Sequence, residues 1–498
     1  MPHLMAHPVT LSKTKLLAYL QCPRKLWLEQ YSPELEDEDA IDAAAIETGR
    51  VVGALAREVY GENGGHHVSG ERGLRAAINA TAELLAAGGD EPIFEATFDY
   101  DGLTFQVDVL ERAGTAPRLV EVKSATRVKD HYLPDVAIQA WALAELGIPV
   151  SQVLLAHVDG DFVYAGDGNY AGLFTSVDLT ESAAALFAQM PALVEATRTT
   201  LQALDEPEVA IGEHCRTPYI CPFFAHCAPE QGEYPVMALG GSTKTLYSLL
   251  QEGYTDLREV PRDRLGDERQ RRIQTQTQLG QVFVGAELRE RVRALPRPRY
   301  YLDFETIAFA IPIWKDTRPY EPLPFQWSVH VDDGGADESA AGLTHTAFLG
   351  LSGEPPMREC AETLIETLGR NGPIVVYSGY EQRVVDALRE RYPDLASSLV
   401  AIRERLVDLL PLVKAHYYAP AMRGSWSLKA VVPTVAAELD YDSLTEVRDG
   451  GAAQAAYLEA IAPGTTPARR EQLRGALLEY CRYDTLSLFK LVEFFSRP

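Results

Sequence analysis

The chain has 498 residues, with 46% hydrophobic and 23% charged side chains, a length and composition that suit two or three globular domains. It contains no run near the roughly 18 uninterrupted apolar residues that a membrane span needs. Its first residues lack the basic and apolar segments of a secretory signal. We therefore expect a cytoplasmic protein with no membrane partner.

The charge is strongly acidic and unevenly divided. The formal net charge is −25. Residues 1–228 hold 15 Lys and Arg against 33 Asp and Glu, or −18, and the remainder holds 31 against 38, or −7. This balance argues against a broad phosphate-binding surface, so a nucleic-acid substrate would need a narrow basic groove or bridging metal ions. Any such function must be argued from motifs.

The first part of the chain predicts an α/β core. Apolar spacing indicates an amphipathic helix over 11–31, capped by Ser12, and further helical structure over 41–60. The next predicted elements are strands at 94–98, 103–110 and 119–123, a helix at 137–146 and a strand at 152–157. A strand–strand–strand–helix–strand order is typical of an α/β domain.

Glu121 and Lys123 are expected on one face of a strand, because residues two apart in a strand point the same way. Asp108 lies in the neighbouring strand, and Gln139 lies in the helix that follows. Two carboxylates and a lysine at one sheet surface can hold a divalent metal and polarise a water for phosphodiester attack, and Gln139 can orient that water or the lysine. Taken alone, a Glu-x-Lys pair is more often a surface salt bridge.

The cysteines suggest a metal cluster. Three of the six fall within thirteen residues, in the pattern C-x5-C-x5-C, and a fourth lies far upstream. Four thiolates can hold an iron–sulfur cluster that joins both ends of a domain. A zinc ion is the alternative, although its usual C-x2-C pairs are missing, and unrelated buried thiols are a third interpretation. The four candidates are Cys22, Cys215, Cys221 and Cys227, whereas Cys360 and Cys481 are predicted to be ordinary buried thiols.

Together these residues resemble the iron–sulfur branch of RecB-like PD-(D/E)XK nucleases, which includes the AddB nuclease domain and the CRISPR-associated RecB-like exonucleases. The resemblance covers about residues 10–228. It implies a restriction-endonuclease-like fold in which Asp108 and Glu121 bind Mg²⁺ or Mn²⁺, Lys123 is catalytic and Gln139 assists. It also implies a structural [4Fe–4S] cluster on the four cysteines.

The chain departs from that family's pattern in two places. The family often has a metal-binding histidine four residues after a helical glycine, whereas here Gly49 is followed by Gly53. The usual Gln-x3-Tyr ends in Leu143. These departures predict reduced or altered use of metal in this domain.

The rest of the chain predicts a connector and a second strand-led domain. Residues 229–297 indicate a helical connector, and residues 298–498 begin again with a strand. The predicted connector helices are at 245–250 and 267–278; the domain has strands at 300–304, 325–330 and 374–377 and helices around 384–390 and 470–495.

Asp303 and Glu305 place two acids on one face of an apolar strand, which is costly unless a cation neutralises them. Tyr480 and Asp484 lie one helical turn apart on a shared helix face. Between them in the chain, Glu381 follows an apolar strand. The ordinary alternative is an acidic strand end and an unrelated surface helix.

These three pieces resemble the DEDD exonucleases of the DnaQ/RNase H-like class, in the variant that uses tyrosine, over about residues 298–498. The resemblance implies an RNase H-like α/β domain in which four carboxylates bind two divalent metals and Tyr480 orients the attacking water. Glu381 replaces the commoner aspartate, and Ser378 stands where asparagine is often found. The implied metal ligands are Asp303, Glu305, Glu381 and Asp484.

A basic segment after this strand region is a weaker candidate for nucleic-acid contact. Arg423, Trp426 and Lys429 offer two cations and an aromatic ring, which suit phosphate contact and base stacking. A core tryptophan in a loop flanked by cations is the alternative. Asp408 is a weaker candidate for a position near the site, and a helix cap or a surface position is its ordinary interpretation.

The leading functional expectation is a metal-dependent DNA exonuclease with two active sites, acting on single-stranded or frayed duplex ends in repair or defence. The tandem order also resembles that of bacterial and archaeal RecB-like nucleases with an appended RNase H-like domain. A non-catalytic, end-binding scaffold is the alternative from another class. An RNase is a third expectation, because the DEDD class that this chain resembles contains many RNases.

Overall fold

The computed structural model describes residues 10–37, 40, 42–112, 116–334, 343–439 and 441–497. It divides into two compact units, the first comprising Met1–Pro229 with Phe309–Tyr320 and the second Glu230–Ala308 with Glu321–Pro498. Both units combine helices with a β-sheet, which confirms the α/β class. The segment predicted as a connector lies within the second unit.

A mixed seven-stranded sheet forms the centre of the first unit, with β1 pairing with β4 beside the path β2-β3-β4-β5-β6-β7. The predicted strands of this region are confirmed as β3, β4, β5 and β6. The bounds are β1 Leu11–Ser12, β2 His66–His67, β3 Ile93–Tyr100, β4 Leu103–Glu111, β5 Arg118–Lys123, β6 Gln152–Val158 and β7 Phe174–Asp178.

The helices of the first unit cover this sheet, and α5 is buried along most of its length. The bounds are α1 Lys13–Gln21, α2 Pro23–Tyr31, α3 Ala43–Tyr60, α4 Leu74–Ala87, α5 Tyr132–Glu145, α6 Thr180–Ala184, α7 Met190–Gln202 and α8 Phe224–Cys227.

The single helix predicted over 11–31 is wrong, because the chain forms β1, α1 and α2 instead. Cys22 separates the two helices with extended backbone (φ −165°, ψ 123°). Pro23 explains this break, since a proline disfavours helical geometry at the residue before it. Ser12 caps α1 as predicted by accepting a hydrogen bond from the Lys15 backbone N–H.

A five-stranded sheet in the order β11-β10-β9-β12-β13 forms the centre of the second unit. Strand β9 pairs antiparallel with β10 and parallel with β12, so it lies in the middle of the sheet. The bounds are β8 Phe283–Val284, β9 Arg299–Ile307, β10 Leu323–Asp332, β11 Leu343–Leu349, β12 Ile374–Val376, β13 Leu406–Asp408 and β14 Tyr417–Tyr418.

The longest described helix of the second unit, α18, packs on β9 and β10. The bounds are α9 Thr243–Gln251, α10 Glu268–Leu279, α11 Ala286–Arg293, α12 Met357–Leu368, α13 Tyr380–Arg391, α14 Ala396–Arg403, α15 Leu410–His416, α16 Leu428–Val431, α17 Gly450–Ile461 and α18 Pro467–Ser496. Among the described residues, no helix combines the length and the apolar character needed to cross a bilayer.

Candidate active sites

The acidic cluster of the second unit is built on strand β9, which supplies Asp303 and Glu305. Register pairs Asp303 with Ser328 of β10. Strand β10 pairs with β9 at both acids, whereas β12 pairs with β9 at the start of the strand, so the backbone under both carboxylates is held by β10. Glu305 is 8% exposed, so its charge is removed from water.

Helix α18 adds three side chains to this cluster: Tyr480, Cys481 and Asp484. The Cys481 Sγ lies 3.5 Å from Asp303 Oδ2, and ligand atoms of Asp303, Glu305 and Cys481 all lie within 4.8 Å of one another. Cys481 is buried as predicted, but the prediction did not place it beside Asp303 and Glu305. It follows Tyr480 directly, and no sequence pattern marks this position.

Glu381 joins the cluster from the first turn of α13. Ser378 Oγ donates to Glu381 Oε2 at 3.1 Å and accepts the Tyr380 N–H at 3.0 Å. The positive end of the helix dipole also favours a carboxylate there. Ser378 thus orients Glu381 in this chain.

Burial raises the pKa of all four carboxyl groups. Burial, then the charges of Asp484 and Glu305, hold the pKa of Asp303 well above its usual range. Burial and Asp484 do the same to the pKa of Glu305. Burial raises the pKa of Asp484 to about 6 and that of Glu381 to about 7. Such a cluster gains stability from a proton or a bound cation.

Cations act on this cluster only weakly. Lys429 lowers the pKa of Glu305 and of Asp484 through its charge, after the larger effect of burial. Its Nζ lies 5.7 Å from the ring centre of Tyr441 and 5.8 Å from that of Tyr480. In the described part of the chain, none of the four carboxylates forms an ion pair with a lysine, arginine or histidine.

Tyr441 is a member of the site that the sequence analysis missed. Its hydroxyl donates to Asp484 Oδ1 at 2.6 Å and lies 3.2 Å from Ser487 Oγ. It comes from a short turn far from either motif in the chain, and no local pattern marks it. Tyr480 acts on the pKa of Asp484 in the same direction as Tyr441, lowering it, although burial outweighs both.

The donor set of the second unit fits a divalent metal. Carboxylate oxygens are the ligands that Mg²⁺ and Mn²⁺ prefer. Four of them converge from β9, α13 and α18 with raised pKa values, and no ion pair compensates them among the described residues.

The first unit brings its predicted side chains together in a different electrostatic setting. Lys123 Nζ donates to Glu121 Oε1 and to Asp135 Oδ2, both at 2.7 Å. Gln139 Nε2 donates to Glu121 Oε2 at 2.8 Å. Asp108 Oδ2 accepts the Val122 backbone N–H at 2.8 Å. The predicted residues therefore meet at one sheet surface, joined by Asp135.

Lys13 and Asp135 are the two members of this pocket that the sequence analysis missed. Lys13 Nζ lies 3.3 Å from both oxygens of Glu121 and 2.9 Å from Asp135 Oδ1. Asp135 stands four residues before Gln139 on one helix face, a spacing that could have revealed it. Nothing in the spacing points to Lys13, which is placed by the pairing of β1 with β4.

The charges of this pocket are largely paired. Burial alone would lower the pKa of Lys13, yet Glu121 and Asp135 raise it well above its usual range. Burial favours neutral Asp135, yet Lys13 and Lys123 hold its pKa well below the usual range. Burial and the charge of Glu121 raise the pKa of Asp108 to about 7. Both oxygens of Glu121 are engaged, so these residues do not fit a divalent ion unless Lys13 moves.

Glu95, a further carboxylate on β3, is paired with cations of the first unit. It forms ion pairs with Arg57 at 2.6 Å and with His67 at 3.1 Å. Its φ of +56° coincides with a skipped position in the β3–β4 register. With these two partners, its carboxylate is already paired.

The four predicted cluster cysteines line one small cavity in the first unit. Cys22 lies at the break between α1 and α2, and the Cys221 N–H donates to the Cys215 carbonyl at 2.9 Å. Burial raises the pKa of Cys215 and Cys221, and it raises the pKa of Cys227 to about 11, with further contributions from the other thiols. Four thiols around one cavity form a donor set that fits an iron–sulfur cluster or a zinc ion.

The basic segment divides between core and surface. Trp426 is 5% exposed and its indole N–H donates to the Tyr417 carbonyl at 2.9 Å, so the core alternative describes it and its ring is not open for base stacking. Arg423 is exposed at a left-handed φ of +45°. Asp408 caps the start of α15 by accepting the Leu410 N–H at 2.9 Å.

Comparisons with known proteins carry little functional information. The model of a family described as a domain of unknown function (DUF2779) matches residues 300–427, well under half of the chain. No curated protein matches. The chain is similar to a solved structure described as "Crystal structure of SSO0001", with 16% identity over 45% of this chain and 87% of that chain. The TM-score of 0.26 is too low to support an argument about fold or function.

Proposed function

We propose that the protein is a metal-dependent nuclease that trims single-stranded or frayed DNA ends at the acidic cluster of its second unit. The observation that carries this proposal is the convergence of half-buried Asp303 with three buried acids, Glu305, Glu381 and Asp484; the pKa values of all four are raised. Building such a cluster is unfavourable unless a cation is bound. We assign this unit to the RNase H-like exonucleases on the same basis.

The side chains of the cluster have separate roles in this proposal. The four carboxylates would hold Mg²⁺ or Mn²⁺, which supplies Lewis-acid stabilisation of the attacking and leaving oxygens. Tyr480 orients the attacking water with its hydroxyl, and Tyr441 holds Asp484 in place. Lys429, beside the Tyr480 ring, attracts the substrate phosphate.

The first unit supports a second candidate role, that of a RecB-like module that binds nucleic acid ends without cleaving them. The pairing of Lys13 and Lys123 with Glu121 and Asp135 favours this role over a second hydrolytic centre. A [4Fe–4S] cluster on the four cysteines would stabilise this unit by joining α1 and α2 to residues 215–227.

Digestion of end-labelled oligonucleotides tests the proposed function. Wild-type protein with Mn²⁺ or Mg²⁺ is offered matched single-stranded DNA, frayed duplex and RNA, each labelled at the 5′ or 3′ end. We expect stepwise shortening of DNA from one end, and no shortening by the double variant Asp303→Ala/Lys123→Ala. Glu366→Gln, an exposed carboxylate on α12, is the matched control and should cleave like the wild type. Cleavage that survives in the double variant would rule out both site assignments, and preferred cleavage of RNA would select an RNase.

A further inference from the structure

Lys13 is fixed at the first-unit pocket by the local fold. Strand β1 pairs parallel with β4, and Thr104 Oγ1 donates to the Leu11 carbonyl at 2.9 Å. Leu11 is buried, and Ser12 caps the helix that Lys13 begins. The Lys13 backbone is therefore held at the sheet, and its side chain, 18% exposed, is directed to the acidic residues.

The ammonium of Lys13 contacts Glu121, one of the two carboxylates predicted to bind a metal ion, and the neighbouring Asp135. It lies 3.3 Å from each oxygen of Glu121 and 2.9 Å from Asp135 Oδ1. Lys123 and Gln139 satisfy the remaining acceptor directions of Glu121. Two ammonium groups thus face three carboxylates in this pocket, whereas the second-unit cluster has four carboxylates and no ion pair among the described residues.

We infer that the Lys13 ammonium occupies the cation position of the first-unit pocket, so that this pocket takes no divalent metal. The inference rests on the proposed function in one respect: hydrolysis is assigned to the second unit. A divalent ion would have to displace a cation that is already paired on two carboxylates, and both would then compete for one site. The alternative is that Lys13 swings away when metal binds, and this outcome is open to direct measurement.

Mn²⁺ binding to the full-length chain tests the inference without any activity assay. The background is Asp303→Asn/Asp484→Asn, which disables the second-unit cluster. Free Mn²⁺ is followed by electron paramagnetic resonance, and the unfolding temperature is followed with and without Mn²⁺. With Lys13 intact, we expect no saturable Mn²⁺ binding and no Mn²⁺-dependent shift of the unfolding temperature.

Removing the ammonium should create the site. Lys13→Met in the same background is expected to gain one saturable Mn²⁺ site and an unfolding temperature that rises with Mn²⁺, and adding Glu121→Gln should remove both gains. Lys13→Gln serves if the methionine variant does not fold. Two results would overturn the inference. One is that the background protein with Lys13 intact binds Mn²⁺ and loses this binding on Glu121→Gln. The other is that folded Lys13 variants gain no Mn²⁺ site. Failure of the proposed function would appear separately, as DNA cleavage that survives in the background variant.

Discussion

At the residue scale, the two acidic pockets differ in what neutralises them. In the first unit, Glu121 and Asp135 are paired with Lys13 and Lys123 at 2.7 to 3.3 Å. In the second unit, hydroxyl and thiol groups contact the carboxylates instead, as Tyr441 contacts Asp484. Hydrogen bonds from neutral groups do not compensate the negative charge of a carboxylate, so a bound cation would still stabilise the second cluster.

The raised pKa values predict a pH-dependent stability for the metal-free protein. Because the pKa of Asp484 rises from 3.8 to about 6 on folding, the folded state keeps its proton to higher pH than the unfolded state does. Stability therefore falls as the pH rises from about 4 to about 6, by about 3 kcal/mol for this group. Glu381, with a pKa of about 7, extends the loss toward neutral pH.

Urea unfolding in EDTA at pH 5 and pH 8 checks this prediction. Asp484→Asn should lose less stability than the wild type between the two pH values, and Mn²⁺ should stabilise the wild type more at pH 8 than at pH 5. Equal pH dependence in the two proteins would show that Asp484 is not destabilised by ionisation in the folded state.

Tyr480→Phe tests the role of the phenol in positioning water. The ring keeps its place on α18, so metal affinity and folding should be retained, whereas kcat should fall about 100-fold because a hydrogen bond to the attacking water is lost. Tyr392→Phe, at the end of α13, is the matched control and should keep the wild-type kcat. Wild-type turnover by Tyr480→Phe would exclude the hydroxyl from the reaction.

At the element scale, α18 determines the geometry of the second cluster because it is attached to β10 by buried polar contacts. Gln326 Nε2 donates to the Leu477 carbonyl at 2.8 Å. Thr485 Oγ1 lies 2.8 Å from both Ser328 Oγ and His330 Nδ1. Burial lowers the pKa of His330 to about 3, so this contact stays neutral at ordinary pH. The adjacent Asp484 is thereby held over β9.

Local patterns explain which parts of the site were predictable. Asp303 with Glu305 and Tyr480 with Asp484 each lie within one element, so strand and helix periodicity place them correctly. Lys13 and Tyr441 enter their pockets through tertiary pairing, which no local spacing encodes. The helix break at Cys22 was missed although Pro23 marks it, since amphipathic spacing continues across the break.

The cysteine cavity gives an element-scale prediction. Cys22→Ala should remove the bound iron and the absorbance at about 400 nm. It should also lower the unfolding temperature of the chain, because α1 and α2 are no longer joined to residues 215–227. Cys360→Ala is the matched control, since this buried thiol lies on α12. Zinc in place of iron in the purified wild type would contradict the iron–sulfur assignment and keep the cavity as a metal site.

At the scale of the whole molecule, the net charge of −25 limits how nucleic acid can be bound. An acidic protein with few cations at its site releases few counterions when it binds a phosphate chain. Lys429 is the cation that the described structure places beside Tyr480.

Affinity for DNA should therefore depend only weakly on salt. For single-stranded DNA, we expect a plot of the logarithm of the binding constant against the logarithm of the salt concentration to have a slope of about −2 or shallower. Such a slope corresponds to two or three phosphate contacts. Lys429→Ala should weaken binding and make the slope shallower, whereas Lys490→Ala, on the outer part of α18, should leave it unchanged. A steep slope in the wild type would indicate a basic surface that this account lacks.

A metal titration tests most directly whether the second-unit cluster holds a catalytic metal. The rate of hydrolysis of a 3′-labelled single-stranded oligonucleotide is measured across a series of Mn²⁺ concentrations for wild type and Asp303→Asn. We expect a wild-type rate that rises from background and saturates with Mn²⁺. The Asp303→Asn rate should be about 1,000-fold lower at every concentration, equivalent to about 4 kcal/mol. An Asp303→Asn curve that follows the wild type would contradict a catalytic metal at the second-unit cluster.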